Sequence, residues 1–338
     1  MNKYKAVGAN IFAGGFSVGT QKYFDVDLHL EHGTYGKNAK ELNMPWVETK
    51  TKPWPKLSQV EYIFTNPPCA PWSMASAGRQ TSWREDPRLE CFVDCFNLIH
   101  NWPNFLSIES VLATWRKAPD FLIEKAREAN ELGYAATIIL HNGAYLGLPQ
   151  QRQRMFFVAH NLKLAWHTYE PKALIACDDA IRNPAIDYSD DLILEATEHV
   201  KYLLAHRRPE DNTLLQVHDR LGFGKGIGSQ RPVFTSALCK IGKPAPTLIH
   251  CMNAHPIEHR YLSIKEMSRL SGYPDWWSWN VKSGVQARAS LIARGVTPTV
   301  GEWLAKLVYD SLEWNREADP EINLIDILHG QFSHSYLE

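Results

Sequence analysis

No apolar run in this chain of 338 residues approaches the length of a membrane span, which takes about 18–20 residues. The opening Met1-Asn2-Lys3-Tyr4-Lys5 also lacks the apolar core of a secretory signal. Cysteine is scarce. The six present (Cys69, Cys91, Cys95, Cys177, Cys239 and Cys251) follow no disulfide-framework spacing, and a reducing cytoplasm is the expected setting. His250-Cys251 with His255 matches no usual zinc pattern, so no metal centre is expected. Internal repeats and low-complexity tracts are absent too, which excludes solenoids and linker proteins. An overall charge excess is also missing, since 36 basic residues face 37 acidic ones.

That balance hides a division. Residues 178–198 carry seven acids against the single base Arg182. Residues 201–243 carry eight bases against Glu210, Asp211 and Asp219. Counterion release responds to a local patch rather than to the total, so a polyanionic partner is compatible with a net charge of −1.

With 44% hydrophobic residues the chain has ample material for a core. Strands are expected near 5–12, 25–30, 61–65, 104–109, 134–141 and 155–160. Helices are expected at 36–43, 88–100 and 118–132. This alternation points to parallel βαβ units in a doubly wound sheet, whose ligands bind beyond the carboxyl ends of the strands. From about 166 to 243 the alternation stops and prolines punctuate the chain. It resumes with helices at 263–271 and 299–313.

Tyr62-Ile63-Phe64-Thr65-Asn66-Pro67-Pro68-Cys69 reads as an apolar strand ending in a rigid turn that presents a thiol. A carboxylate, Glu109, ends a second apolar strand, where an unpaired charge would be costly. Arg152 and Arg154, two residues apart, point the same way from the start of a third. An ion pair for Glu109 and a solvated strand edge for the arginines would each explain one feature alone, but not their order after Pro-Pro-Cys.

In that order the chain resembles the DNA cytosine-5 methyltransferases, over roughly residues 5–165 and 232–312. Pro67-Pro68-Cys69 is similar to the nucleophile motif, Glu109-Ser110-Val111 to Glu-Asn-Val, and Pro149-Gln150-Gln151-Arg152-Gln153-Arg154 to Pro-Gln-x-Arg-x-Arg. Ile11-Phe12-Ala13-Gly14-Gly15-Phe16-Ser17 resembles the cofactor loop, about two residues shorter, and Leu30-Glu31-His32 the ribose-binding acidic position. Pro244-Ala245-Pro246-Thr247, residues 262–275 and Arg294-Gly295-Val296-Thr297-Pro298 complete the series.

The resemblance implies a class I, Rossmann-like methyltransferase: a catalytic domain over 1–165, a small target-recognition region over 166–258, and a segment over 259–338 returning to the core. It implies Cys69 as nucleophile, Glu109, Arg154 and Arg152 as catalytic partners, and Phe12, Ala13, Gly14, Gly15, Glu31, His32, Pro68, Arg294 and Val296 around S-adenosylmethionine. Double-stranded DNA is the implied partner, its target base flipped out under a loop at 76–84, and the enzyme is expected to act as a monomer. Arg294 stands where the family usually has a neutral Asn. A guanidinium there could face DNA phosphate or solvent, meet the cofactor's own methionine carboxylate, or hold the extra carboxylate of carboxy-S-adenosylmethionine, giving 5-carboxymethylcytosine. A catalytically silent DNA-binding relative is the alternative from another class.

Overall fold

In the computed structural model the residues described are 4–73, 82–181, 213–216, 237–240, 242–248, 260–281 and 284–337. Nine strands form one sheet among them: β1 (Tyr4–Ala9), β2 (Phe24–Glu31), β3 (Glu48–Thr51), β4 (Tyr62–Thr65), β5 (Phe105–Val111), β6 (Ala135–Asn142), β7 (Gln153–His160), β10 (Ile322–Ile327) and β11 (Ser333–Tyr336). They lie in the order β11-β10-β6-β7-β5-β4-β1-β2-β3, and β8 (Thr213–Gln216) pairs separately with β9 (Ala237–Lys240).

The sheet is mixed rather than wholly parallel. β7 runs antiparallel between β5 and β6, and β11 antiparallel to β10. The cause is local: β6 and β7 are joined by only residues 143–152, too short for the crossover that a parallel neighbour requires. This reversal brings the start of β7 to the same end of the sheet as the close of β5, with Arg154 opposite both Val111 and His141.

Helices α1 (Gly15–Thr20) and α9 (Pro298–Trp314) pack on one face, and α3 (Leu89–Asn97), α4 (Leu112–Lys117) and α5 (Pro119–Glu131) supply the other. α9 starts with proline at its first turn, where the missing N–H costs nothing, and buries Val300, Leu304, Leu307, Val308 and Leu312 at helical spacing. Its approach to α1 is close: a Cβ on Gly19 would lie 2.2 Å from the Glu302 nitrogen. α2 (Lys37–Asn43), α6 (Cys177–Ile181), α7 (Ile264–Leu270) and α8 (Val285–Ala293) gather around a third apolar cluster. α7 begins with the reciprocal Ser263–Glu266 capping box. The charge division at 178–243 and His250-Cys251/His255 fall almost wholly outside the described residues.

Candidate active site

Cys69 follows β4, and the turn that carries it is tied at both ends. Its carbonyl accepts from the N–H groups of Trp72 and Ser73, each at 3.1 Å. Trp72 is fully buried against Trp83, Phe92 and Phe121, and the Lys117 ammonium donates to its carbonyl at 3.0 Å. The thiol itself is half-buried, and Arg88, gripped by Asp86, lies within electrostatic reach of it. Of the loop expected at 76–84, only residues 82–84 are described.

Glu109 is buried within β5, and each of its carboxylate oxygens has a separate partner. Oε1 pairs with Arg154 Nε at 3.2 Å, and Oε2 accepts from Asn66 Nδ2. Burial pushes the pKa of Glu109 up, while Arg154 and Arg152 pull it down. Burial likewise raises the Cys69 thiol. Arg154 and Arg152 oppose that rise, and Glu109 adds to it. The thiol therefore sits in the field of all three expected partners, in its protonated form at neutral pH.

Arg152 points elsewhere. Its guanidinium donates to the carbonyls of Ala293, at 3.2 Å, and Gly295, at 2.7 Å, holding the loop that presents Arg294. Burial, with the Arg154 charge adding to it, lowers its pKa to about 9, so Arg152 remains cationic at neutral pH. Ser110 turns to α4, where its hydroxyl meets Thr114 at 2.7 Å.

The expected cofactor residues form a second group beside the first. Gly14 lies in the left-handed region at φ 94°, and Gly15 touches the last loop so closely that a Cβ would stand 2.4 Å from the Val296 carbonyl. Glu31 Oε1 accepts from Ile11 N–H at 3.2 Å and from the buried Lys40 ammonium, while Oε2 has no protein partner among the described residues. Burial raises the Glu31 pKa, and Lys40 opposes it. The His32 ring is held by Asn10 Oδ1 at 2.9 Å and Asp94 at 2.7 Å, with Trp54 edge-on at 4.7 Å. Burial would raise the Asp94 pKa, but hydrogen bonds from Lys52 and His32 outweigh it and hold it low. Arg294 is exposed, its guanidinium 5.3 Å above the Tyr35 ring, which meets Phe12 edge-on at 5.7 Å.

Asn66, Lys40, Asn10, Asp94, Trp54 and Tyr35 were not legible as site residues. Asn66 and Asn10 each adjoin a motif, one place before Pro67 and one before Ile11. The others arrive by contacts between distant segments. Among the described residues no cluster of three or more His, Cys, Asp or Glu could hold a metal ion, and no helix is long and apolar enough to cross a membrane.

The model of the C-5 cytosine-specific DNA methylases matches residues 13–309, most of the chain. The protein belongs to that family. As a C-5 cytosine-specific DNA methylase it is an S-adenosylmethionine-dependent DNA methyltransferase with a class I α/β fold. It is similar to the type II methyltransferase M.FnuDI of Fusobacterium nucleatum, 24% identical over 92% of this chain and 95% of that one. M.MthTI of Methanothermobacter thermautotrophicus is also 24% identical, over 79% and 84%. Among solved structures, the Entamoeba histolytica methyltransferase EhMeth shares the fold with a TM-score of 0.64 at 11% identity, covering 92% of this chain and 99% of its own.

Proposed function

We propose that the enzyme methylates C5 of cytosine in double-stranded DNA through a covalent adduct on Cys69, and that it serves DNA modification like the type II methyltransferases it resembles. The observation that carries this reading is Glu109, buried and bracketed by Arg154 and Asn66 beside the thiol-bearing turn.

C5 of cytosine is too weak a nucleophile to take a methyl group unaided. Addition of the Cys69 thiolate forms the Sγ–C6 bond and moves the C5–C6 pair onto C5, giving an enamine. Negative charge builds on N3 and O2. Glu109, protonated, supplies its proton to N3 as the charge builds and takes it back when Cys69 leaves, and Arg154 meets O2, so fixed groups await the developing charge. S-adenosylmethionine, when bound, supplies the electrophilic methyl that C5 takes up. Loss of the C5 proton to a base then breaks Sγ–C6 and frees Cys69. The reacting atoms are buried in duplex DNA, so the base has to be flipped into the site.

The residues present suit S-adenosylmethionine. Glu31 Oε2 is available to the ribose hydroxyls, Gly14 and Gly15 admit a close backbone approach, and Asn66 Oδ1 is a buried acceptor without a partner. On this reading Phe12, Ala13, Pro68 and Val296 line the same cradle, His32 with Trp54 forms its adenine end, and Arg152 acts by holding the 293–295 loop. A duplex carrying 5-fluorocytosine tests the nucleophile, because without a C5 proton the adduct cannot resolve. A denaturation-resistant complex is expected with wild type and none with Cys69→Ala. No adduct on any sequence, or one that survives the substitution, would overturn the assignment.

A second reading rests on Arg294, which stacks on Tyr35 and has no carboxylate partner among the described residues. A cation there suits the extra carboxylate of carboxy-S-adenosylmethionine, with 5-carboxymethylcytosine as product. Mass spectrometry of DNA modified with both cofactors in competition decides it. If wild type and Arg294→Asn both transfer only methyl at unchanged relative rates, this reading is wrong.

A further inference from the structure

Asn66 is 3% exposed, and its amide is divided between two neighbourhoods. Its backbone N–H donates to the Ala9 carbonyl at 3.0 Å, which fixes the residue at the junction of β4 and β1. Nδ2 donates to Glu109 Oε2, on the side of the base. Oδ1 is buried and has no hydrogen-bond partner among the described residues. A Cβ added at Gly295 would lie 3.3 Å from this oxygen and 3.5 Å from the Phe12 ring, so the oxygen is directed at the seam between Phe12 and the 294–296 loop.

The amide cannot simply be reversed. Turning it over would set its oxygen against the Glu109 carboxylate, acceptor on acceptor, while that carboxylate is ionised. A buried carbonyl oxygen held in this way is costly until it meets a donor or a positive charge. The surrounding charges sharpen its role. Glu31 is already offset by Lys40, and Arg294, Arg152 and Arg154 bring further positive charge to the same end of the sheet. A cationic ligand entering here has few places to rest.

We propose that Asn66 Oδ1 is the acceptor for the sulfonium end of the cofactor. It would let the site distinguish the charged methyl donor from the uncharged thioether left after transfer, while Nδ2 of the same amide holds Glu109 for the base. The inference rests on the reading of residues 12–15, 31 and 294–296 as the cofactor cradle. S-adenosylmethionine and S-adenosylhomocysteine differ at sulfur by one methyl and one charge, so an interaction with that charge shows in their affinity ratio.

Calorimetric titration of the DNA-free enzyme with each ligand is the test. Asn66→Ala should weaken S-adenosylmethionine about fivefold or more, the loss expected for one charge-assisted contact, and leave S-adenosylhomocysteine within about twofold. Equal weakening of both ligands would mark Asn66 as merely structural and overturn the proposal, as would no change in either. Should Asn66→Ala fail to fold, Asn66→Ser, whose hydroxyl is too short to reach, carries the same comparison. Failure of wild type to bind either ligand would instead overturn the cofactor reading beneath it.

Discussion

The base side and the cofactor side of the site are built on different principles. Around Cys69 the side chains come from central strands and the turns directly attached to them. Glu109 has a partner on each oxygen, and the nucleophile turn is anchored through a fully buried Trp72. Around the cofactor cradle they come from loops. Phe12 has φ 51°, Tyr35 is 42% exposed, and Arg294 stands in solvent above it. Strand register leaves little freedom to the first group. Loops leave much to the second, and there most departures from the family pattern collect, the shortened glycine loop and Arg294, against Ser110 alone on β5.

The largest effect should come from the rigid side. Cys69→Ala is expected to lower transfer by about 10⁴-fold or more while leaving the melting temperature near that of wild type. A large fall in stability with it would mean that the thiol is core packing. On the cofactor side, Lys40→Met strands Glu31 as a buried unpaired charge and should cost about 3–5 kcal/mol by urea denaturation. Adding Glu31→Leu should recover most of that loss, and no recovery would show that the pair is not coupled. Arg152 joins the two sides. Arg152→Met leaves the Ala293 and Gly295 carbonyls without their donor and should cost about 2–3 kcal/mol. Cofactor affinity should fall more than DNA affinity, and an equal fall in both would deny it that linking role.

A pH series probes the sheet beneath both regions. Burial keeps His29, His141 and His160 neutral in the fold, with pKa values well below 6.5 for His29, about 3 for His141 and about 4 for His160. The unfolded chain protonates these rings below about pH 6.5 and the fold does not. Their contribution is therefore present above that pH and lost as pH falls through the folded values. Each ring adds at most about 1.4 kcal/mol per pH unit, and the raised pKa values of Glu31 and Glu109 work against the slope. His141 stacks on Phe156 at 5.0 Å with neither ring nitrogen hydrogen-bonded, so His141→Phe should flatten the acid loss. A slope as steep as that of wild type would mean that His141 is not held neutral. The smallest effect belongs to the loops: Arg294→Asn should leave stability within about 0.5 kcal/mol.

The apolar strands and the helices between them were legible because their burial is written as runs and periods. Residues 155–160 were legible as a strand, which begins two residues earlier at Gln153, but not as an antiparallel one, since direction depends on the short connection before it. Glu48–Thr51 and Ser333–Tyr336 were not anticipated. Both are polar edge strands, largely exposed, that carry little apolar signal. Ile322–Ile327 does alternate in part, and the return of chain after α9 to pair with β6 was still not foreseen. In the site, residues at strand ends could be located from motif order. The partner of each could not, because Lys40 reaches Glu31 and Asp94 reaches His32 only once distant segments pack.

The contact between Gly19 and Glu302 bears on how the protein is made. Helix α1 leaves the ribosome well before the helix that seals it, which lies about 280 residues further along the chain. β10, which extends the sheet beyond β6, follows later still. A nascent chain holding every residue of the first 165 still lacks this closing layer and the loop that Arg152 grips. Synthesis thus acts as a timer, and catalytic competence should arrive only after the 293–295 loop and α9 have been translated.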